Sequence, residues 1–166
     1  MSGFNNPAET WNKRFAGADY IFGTQANTWL TRQTSHLPQS GRVLAVADGE
    51  GRNSVWLAQQ GYEVDAFDIA DIGVEKARKL ASTSGVSVNF QVSSAEDWSW
   101  QPHHYDAVVA IFIQFADPDT RAVLFANMIK TLKSGGVLLL QGYTPKQLDY
   151  KTGGPPLLSH LYTEDL

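Results

Sequence analysis

Cysteine is missing from all 166 residues, which excludes a disulfide framework, a thiolate metal site and a cysteine nucleophile. Charge is sparse as well. Charged residues make up 18% and apolar residues 43%, which fits neither a disordered acidic tail nor a charge-laced coiled coil. Positive charge is not in excess: 13 Lys and Arg face 17 Asp and Glu, a net charge of −4. A general binder of nucleic acid or anionic membrane would carry a basic face, so neither partner is expected. The longest apolar run, Ala107 to Ile113, is far shorter than a bilayer span. The first residues, Met1 to Pro7, lack the basic and apolar blocks of a secretory signal. The four histidines (His36, His103, His104 and His160) have no metal-ligand spacing with acidic partners, so no metal is expected. These absences leave a soluble, cytoplasmic domain as the expectation.

No repeat or linker divides residues 1–166, which are read as one domain. It has a flanking or lid segment at 1–40, a core at 41–141 and a loop-rich segment at 142–166. In the core, short apolar runs alternate with helical patterns. Arg42 to Ala47 is apolar almost throughout, as in a strand buried on both faces. After the turn Asp48-Gly-Glu-Gly51, a helix is predicted over Asn53 to Gln60, stopped by Gly61. Tyr62 to Asp68 follows as a strand and Ile72 to Ser84 as a helix. Val86, Val88, Phe90 and Val92 alternate with polar residues, which predicts a strand with one wet face near a sheet edge. Tyr105 to Ile113 is the next buried strand. Asp117-Pro118 starts a helix that runs to about Lys133 and ends at Gly135-Gly136, and Val137 to Gln141 is a fifth strand. This alternation predicts an α/β, doubly wound, mainly parallel sheet of about five strands with flanking helices. Thr24 to Leu37 is predicted as one amphipathic helix, and Gly142 to Leu166 as a long loop without regular structure.

Ligands of such sheets bind beyond the carboxyl ends of the strands, where strand order reverses. The glycines of Asp48-Gly-Glu-Gly51 let backbone approach a ligand, although a Gly-x-Gly pair also describes a plain strand-to-helix turn. Asp68 lies nineteen positions after Gly49, at the end of the second strand. A carboxylate there can accept hydrogen bonds from both ribose hydroxyls of an adenosine; an N-cap or a solvated strand end is the bland alternative. Arg52, Asn53 and Ser54 stand where a dinucleotide fingerprint would place its third glycine. That favours a phosphate-free nucleoside cofactor, with S-adenosylmethionine as the candidate.

These features resemble class I S-adenosylmethionine-dependent methyltransferases, and within them the small tellurite-resistance type. The resemblance rests on Trp11-Asn-Lys-Arg-Phe15, Tyr20-Ile-Phe-Gly23 and Asn27; Gly41-Arg-Val-Leu44; Gly49-Glu-Gly-Arg-Asn53; and Gly73-Val-Glu-Lys-Ala-Arg78. Tyr105-Asp-Ala-Val-Val109, Leu132-Lys-Ser-Gly-Gly136, Tyr143-Thr-Pro145 and Thr152-Gly-Gly-Pro-Pro156 complete it. The resemblance implies a Rossmann-like fold and a cofactor site of Asp48, Gly49, Gly51, Asn53, Asp68, Ile69, Ser94, Ala95, Glu96 and Ile111. Arg14, Tyr20, Gln114 and Tyr143 then face the acceptor. It implies direct methyl transfer to a small-molecule acceptor, with no assigned catalytic residue.

The sequence departs from the family pattern at Ala45, Ala47, Ser94 and Gln114, where the family usually has Asp, Gly, Asp and His. These departures keep a second reading open, a non-catalytic binding or scaffold protein with a degenerate cofactor motif. A dinucleotide-dependent oxidoreductase is a weaker third. Against the family's seven-stranded sheet the usual last two strands are not seen, so the fifth strand is expected to expose an edge suited to pairing in a homodimer.

Overall fold

A computed structural model describes residues 6–166. Five strands form a single sheet: β1 (Arg42–Val46), β2 (Glu63–Asp68), β3 (Asn89–Val92), β4 (Tyr105–Ile111) and β5 (Leu132–Gln141). Their order is β3-β2-β1-β4-β5, and every neighbouring pair is parallel. The winding reverses between β1 and β4, so those two strands end at the topological switch point.

Alternation along the central strands divides the core. Leu44, Val46, Phe67, Val108 and Ala110 face one side, where they pack with Trp98 and Met128. Helix α5 (Pro118–Thr131) covers that side, and Trp98 stacks on Phe67 at 4.6 Å. Val43, Val64, Ala107 and Val109 face the other side with Leu30 and Leu57, and Ala45 and Ala66 meet Val74 and Ala77 there. Helices α2 (Thr28–Arg32), α3 (Arg52–Gln59) and α4 (Asp71–Thr83) supply that layer. A run apolar on both faces is what a two-sided burial demands, and β1 and β4 read that way. Among the described residues β5 is bonded to β4 alone, which leaves its other edge open.

Five boundaries differ from the sequence reading. The helix predicted over Thr24 to Leu37 is α2 followed by a separate 3₁₀ turn at Thr34–His36. Hydroxyls of Thr31 and Thr34 bond back to the carbonyls of Thr28 and Thr31 and compete with the α ladder, and Gln33 N–H tightens onto Leu30 O at 2.9 Å. β4 stops at Ile111, because Phe112 takes a left-handed φ of 56°. α5 ends at Thr131 and β5 begins at once, with Gly135 and Gly136 inside the strand at a register shift between Tyr105 and Ala107. The alternating Val86 to Val92 segment pairs only from Asn89.

The predicted long loop after β5 is anchored. It contains α6 (Gln147–Tyr150) and a 3₁₀ turn at Leu158–His160, and His160, Leu161 and Tyr162 are buried. Sequence patterning also gave no sign of α1 (Pro7–Phe15), whose Phe15 is buried against α4. Asn6 caps it through the Glu9 N–H, and Pro7 occupies its first turn.

Candidate cofactor and acceptor site

The carboxyl end of β1 turns through two unusual residues. Ala47 adopts φ 48°, the left-handed conformation that glycine would hold at no steric cost, so its methyl stores roughly 1 kcal/mol of strain. Asp48 N–H reaches across to Phe67 O at 3.0 Å and fixes the turn against β2. Gly49 and Gly51 follow at φ 61° and 88°. A Cβ on Gly51 would sit 2.6 Å from the Ala77 Cβ, so α4 packs directly against the turn.

Asp68 closes this turn from β2. It is 8% exposed; its Oδ2 accepts the Gly49 N–H at 2.8 Å and its Oδ1 the Ala70 N–H at 2.9 Å. Burial raises its pKa, while the N–H donors of Ala70, Gly49 and Ile69 pull the other way. A carboxylate offers about four acceptor positions, so two remain for hydroxyl donors. Ser93 N–H bonds the Asp68 carbonyl at 3.0 Å, which brings the segment after β3 to the same place. There Ser94 Oγ donates to Asp97 Oδ2 at 2.8 Å and accepts the Asp97 N–H. Gly49, Asp68 and the 94–97 segment are therefore neighbours at one end of the sheet, with Ile69, Ala95 and Glu96 on the same loops.

Asp48 points into the first turn of α3. Its carboxylate accepts the Ser54 hydroxyl and, at 3.3 Å, the Ser54 N–H. A pyrophosphate at this helix start would need those N–H groups and would meet an acid, so the turn fits a phosphate-free ligand. Burial pushes Asp48 up to about 7; Ser54 opposes the shift and the nearby Asp68 adds to it. A raised acid pKa means the folded chain holds a proton that the unfolded chain has released. The contribution of Asp48 to stability therefore falls as pH rises from about 4 to about 7, by at most about 1.4 kcal/mol per pH unit. Urea midpoints across that range should fall more steeply for the wild-type chain than for Asp48→Asn; parallel profiles would refute it.

The remaining residues of the glycine turn hold the N-terminal segment. Glu50, 4% exposed, accepts the Ile21 N–H at 2.8 Å and pairs with Lys76 of α4. Lys76 Nζ donates to the carbonyls of Phe15, Gly17 and Asp19 at 3.2, 3.0 and 2.7 Å, and lies 5.0 Å from the Tyr20 ring centroid. Tyr20 OH donates in turn to Lys76 O at 2.9 Å. Asn53 Oδ1 accepts the Asn27 N–H at 2.9 Å, and Arg52 Nη1 donates to Phe22 O at 3.1 Å. Arg14 lies over Trp11 at 4.4 Å. Thus Asn53 and Tyr20, read from sequence as ligand residues, have their polar atoms bonded within the chain.

Gln114 is similarly engaged. Its Oε1 accepts the Tyr143 N–H at 2.5 Å, and its Nε2 donates to Tyr143 O and His160 O, each at 2.9 Å. It clips the segment after β5 to the loop after β4. Phe112 N–H bonds Gln141 O at 2.8 Å, and the Phe112 ring stacks on Tyr143 at 4.6 Å, beside Ile111 at the end of β4. Glu50, Arg52, Lys76 and Phe112 were not singled out from sequence as contributors to the site. Only the block Gly49 to Asn53, quoted as a motif, carried a signal for two of them. Among the described residues no group of three or more His, Asp or Glu side chains converges as a metal site.

Against known proteins, residues 43–136 match the family model described as "Methyltransferase domain". The chain belongs to that family. Two curated relatives are a tRNA 5-carboxymethoxyuridine methyltransferase of Escherichia coli and a ubiquinone biosynthesis O-methyltransferase of Xanthomonas axonopodis. The first is 30% identical over 84% of this chain and 56% of its own length. The second is 38% identical over 62% of this chain and 43% of its own length. The chain thus spans about half the length of these relatives. A protein solved in work on converting a disulfide bond into a thioacetal group during echinomycin biosynthesis shares the fold. Its TM-score is 0.79 at 18% identity, covering 96% of this chain and 76% of that one. Family and neighbours indicate S-adenosylmethionine as the cofactor. The donor set fits it: spare acceptor positions on Asp68 for ribose hydroxyls, an acid at Asp48 for an ammonium, and no free phosphate cradle. No described helix of this methyltransferase is long and apolar enough to cross a membrane.

Proposed function

We propose that this chain is an S-adenosylmethionine-dependent methyltransferase that methylates a small-molecule acceptor by direct transfer. The observation that carries this reading is the Asp68–Gly49 closure beside the Asp48-capped helix start, which offers acceptors to a nucleoside and blocks a pyrophosphate. The net charge of −4 supports a small acceptor over a polyanion. The blocks Trp11 to Phe15 and Thr152 to Pro156 support the tellurite-resistance-type subgroup.

The bound cofactor supplies a methyl carbon already activated by its sulfonium. The protein's task is alignment, which in well-oriented intramolecular models is worth about 7–11 kcal/mol. Asp68 and the 94–97 segment orient the nucleoside, Asp48 faces the amino-acid end, and the Phe112–Tyr143 stack keeps water from the transfer path.

Calorimetry should show S-adenosylhomocysteine binding and no NADH binding. With labelled cofactor, methyl transfer should appear on members of a small-molecule panel of thiols, amines and phenols. No binding of either S-adenosyl ligand at millimolar concentration would sink the enzyme reading in favour of a scaffold. Transfer to tRNA alone, as the name of the Escherichia coli relative describes for that protein, would overturn the small acceptor.

A further inference from the structure

Two aromatic surfaces stay open at the carboxyl end of the sheet, although apolar rings there gain from burial. Phe22 is 49% exposed on the N-terminal segment and Phe112 is 38% exposed after β4. Neither position is casual. Phe22 is held by Arg52 through its carbonyl, and Phe112 is backed by Tyr143 while its backbone holds a left-handed φ of 56°. Such strain in a bulky residue persists only where the surroundings fix it, and it clusters at ligand sites.

Arg52 links the two surfaces. Its guanidinium lies 5.7 Å from the Phe22 ring centroid and close enough to Tyr143 to interact electrostatically with it. It is partly buried, and no carboxylate forms a salt bridge with it among the described residues. Its nearest acid is Asp48, which Ser54 already engages. Arg14 adds a second cation, 5.9 Å from the same Phe22 ring. A desolvated guanidinium between open aromatic faces is complementary to one kind of guest, a flat apolar body that carries negative charge.

We propose that the methyl acceptor is a small planar anion, an aromatic or conjugated carboxylate, seated between Phe22 and Phe112 with its charge on Arg52. This rests on the methyltransferase reading above and deepens it by naming the acceptor class. The acceptor's nucleophile is a separate group on the same molecule, so the charge directs binding while the sulfonium methyl passes to the nucleophile and the thioether leaves.

The test uses the protein saturated with S-adenosylhomocysteine and four probes, namely benzoate, benzamide, benzylamine and acetate, with affinities from calorimetry or ligand-detected NMR. Benzoate should bind about tenfold or more tighter than each of the others, since charge and ring are both required. Arg52→Gln should erase the preference over benzamide, Arg52→Lys should retain part of it, and Phe112→Ala should weaken benzoate without restoring benzamide. Equal affinities, no benzoate binding at tens of millimolar, or a preference that survives Arg52→Gln would overturn the proposal. So would Arg52→Gln weakening S-adenosylhomocysteine while sparing methylthioadenosine, because Arg52 would then hold the cofactor's own carboxylate. If S-adenosylhomocysteine itself fails to bind, the methyltransferase reading falls, and the same probe series on the unloaded protein decides the anion site alone.

Discussion

Gly51→Ala should lower the unfolding free energy by about 2–5 kcal/mol and remove S-adenosylhomocysteine binding. Two penalties combine. A left-handed backbone at φ 88° costs an alanine roughly 1–2 kcal/mol. The new methyl would also lie 2.6 Å from the Ala77 Cβ and 2.9 Å from its Cα, and overpacking of this kind costs about 1–3 kcal/mol. Against a typical total of about 5–15 kcal/mol that loss is large. The urea midpoint measures it. Adding Ala77→Gly should recover the steric share and leave the backbone share, so the double variant separates the two. An unchanged midpoint for the single variant would refute close packing of the turn on α4.

Asp68→Ala should be nearly as damaging for a different reason. The methyl fills no role of the carboxylate, and the N–H groups of Gly49 and Ala70 lose their partner. Each buried orphan donor costs about 1–3 kcal/mol. A fall in melting temperature on the order of 10 °C follows at about 2–4 °C per kcal/mol for a chain of this size. Asp68→Asn retains one acceptor oxygen, so it should fall between the wild-type chain and Asp68→Ala in stability. Its amide should also discriminate poorly between S-adenosylhomocysteine and the 2′-deoxy analogue, a comparison calorimetry makes directly. If Asp68→Ala melts like wild type, the carboxylate does not close the turn.

How far the sequence reached depends on the range of the interactions. The strand–helix alternation, the glycine turn and the strand-end Asp68 are local patterns, and all three were legible. Gln114 shows the limit. A polar residue after β4 was read as facing an acceptor, yet its amide bonds the backbone of Tyr143 and His160, 29 and 46 residues away. No local periodicity encodes such a clip. Glu50 carries the same lesson, since its partners are Ile21 and Lys76 and nothing beside it in the chain marks them. Ala47 could be flagged as a departure from glycine, but only the backbone angle reveals that the left-handed turn was kept.

The tethering of the N-terminal segment also bears on the order of events during synthesis. Asn12 bonds Asp71 and Ile72, and Lys76 gathers the carbonyls of residues 15 to 19, all across about sixty residues of chain. The first part of the polypeptide to leave the ribosome therefore has nothing to dock on until α4 has followed it out. Phe15, Trp11 and Phe22 spend that interval solvated, and the entrance to the site is assembled late from its earliest-made residues.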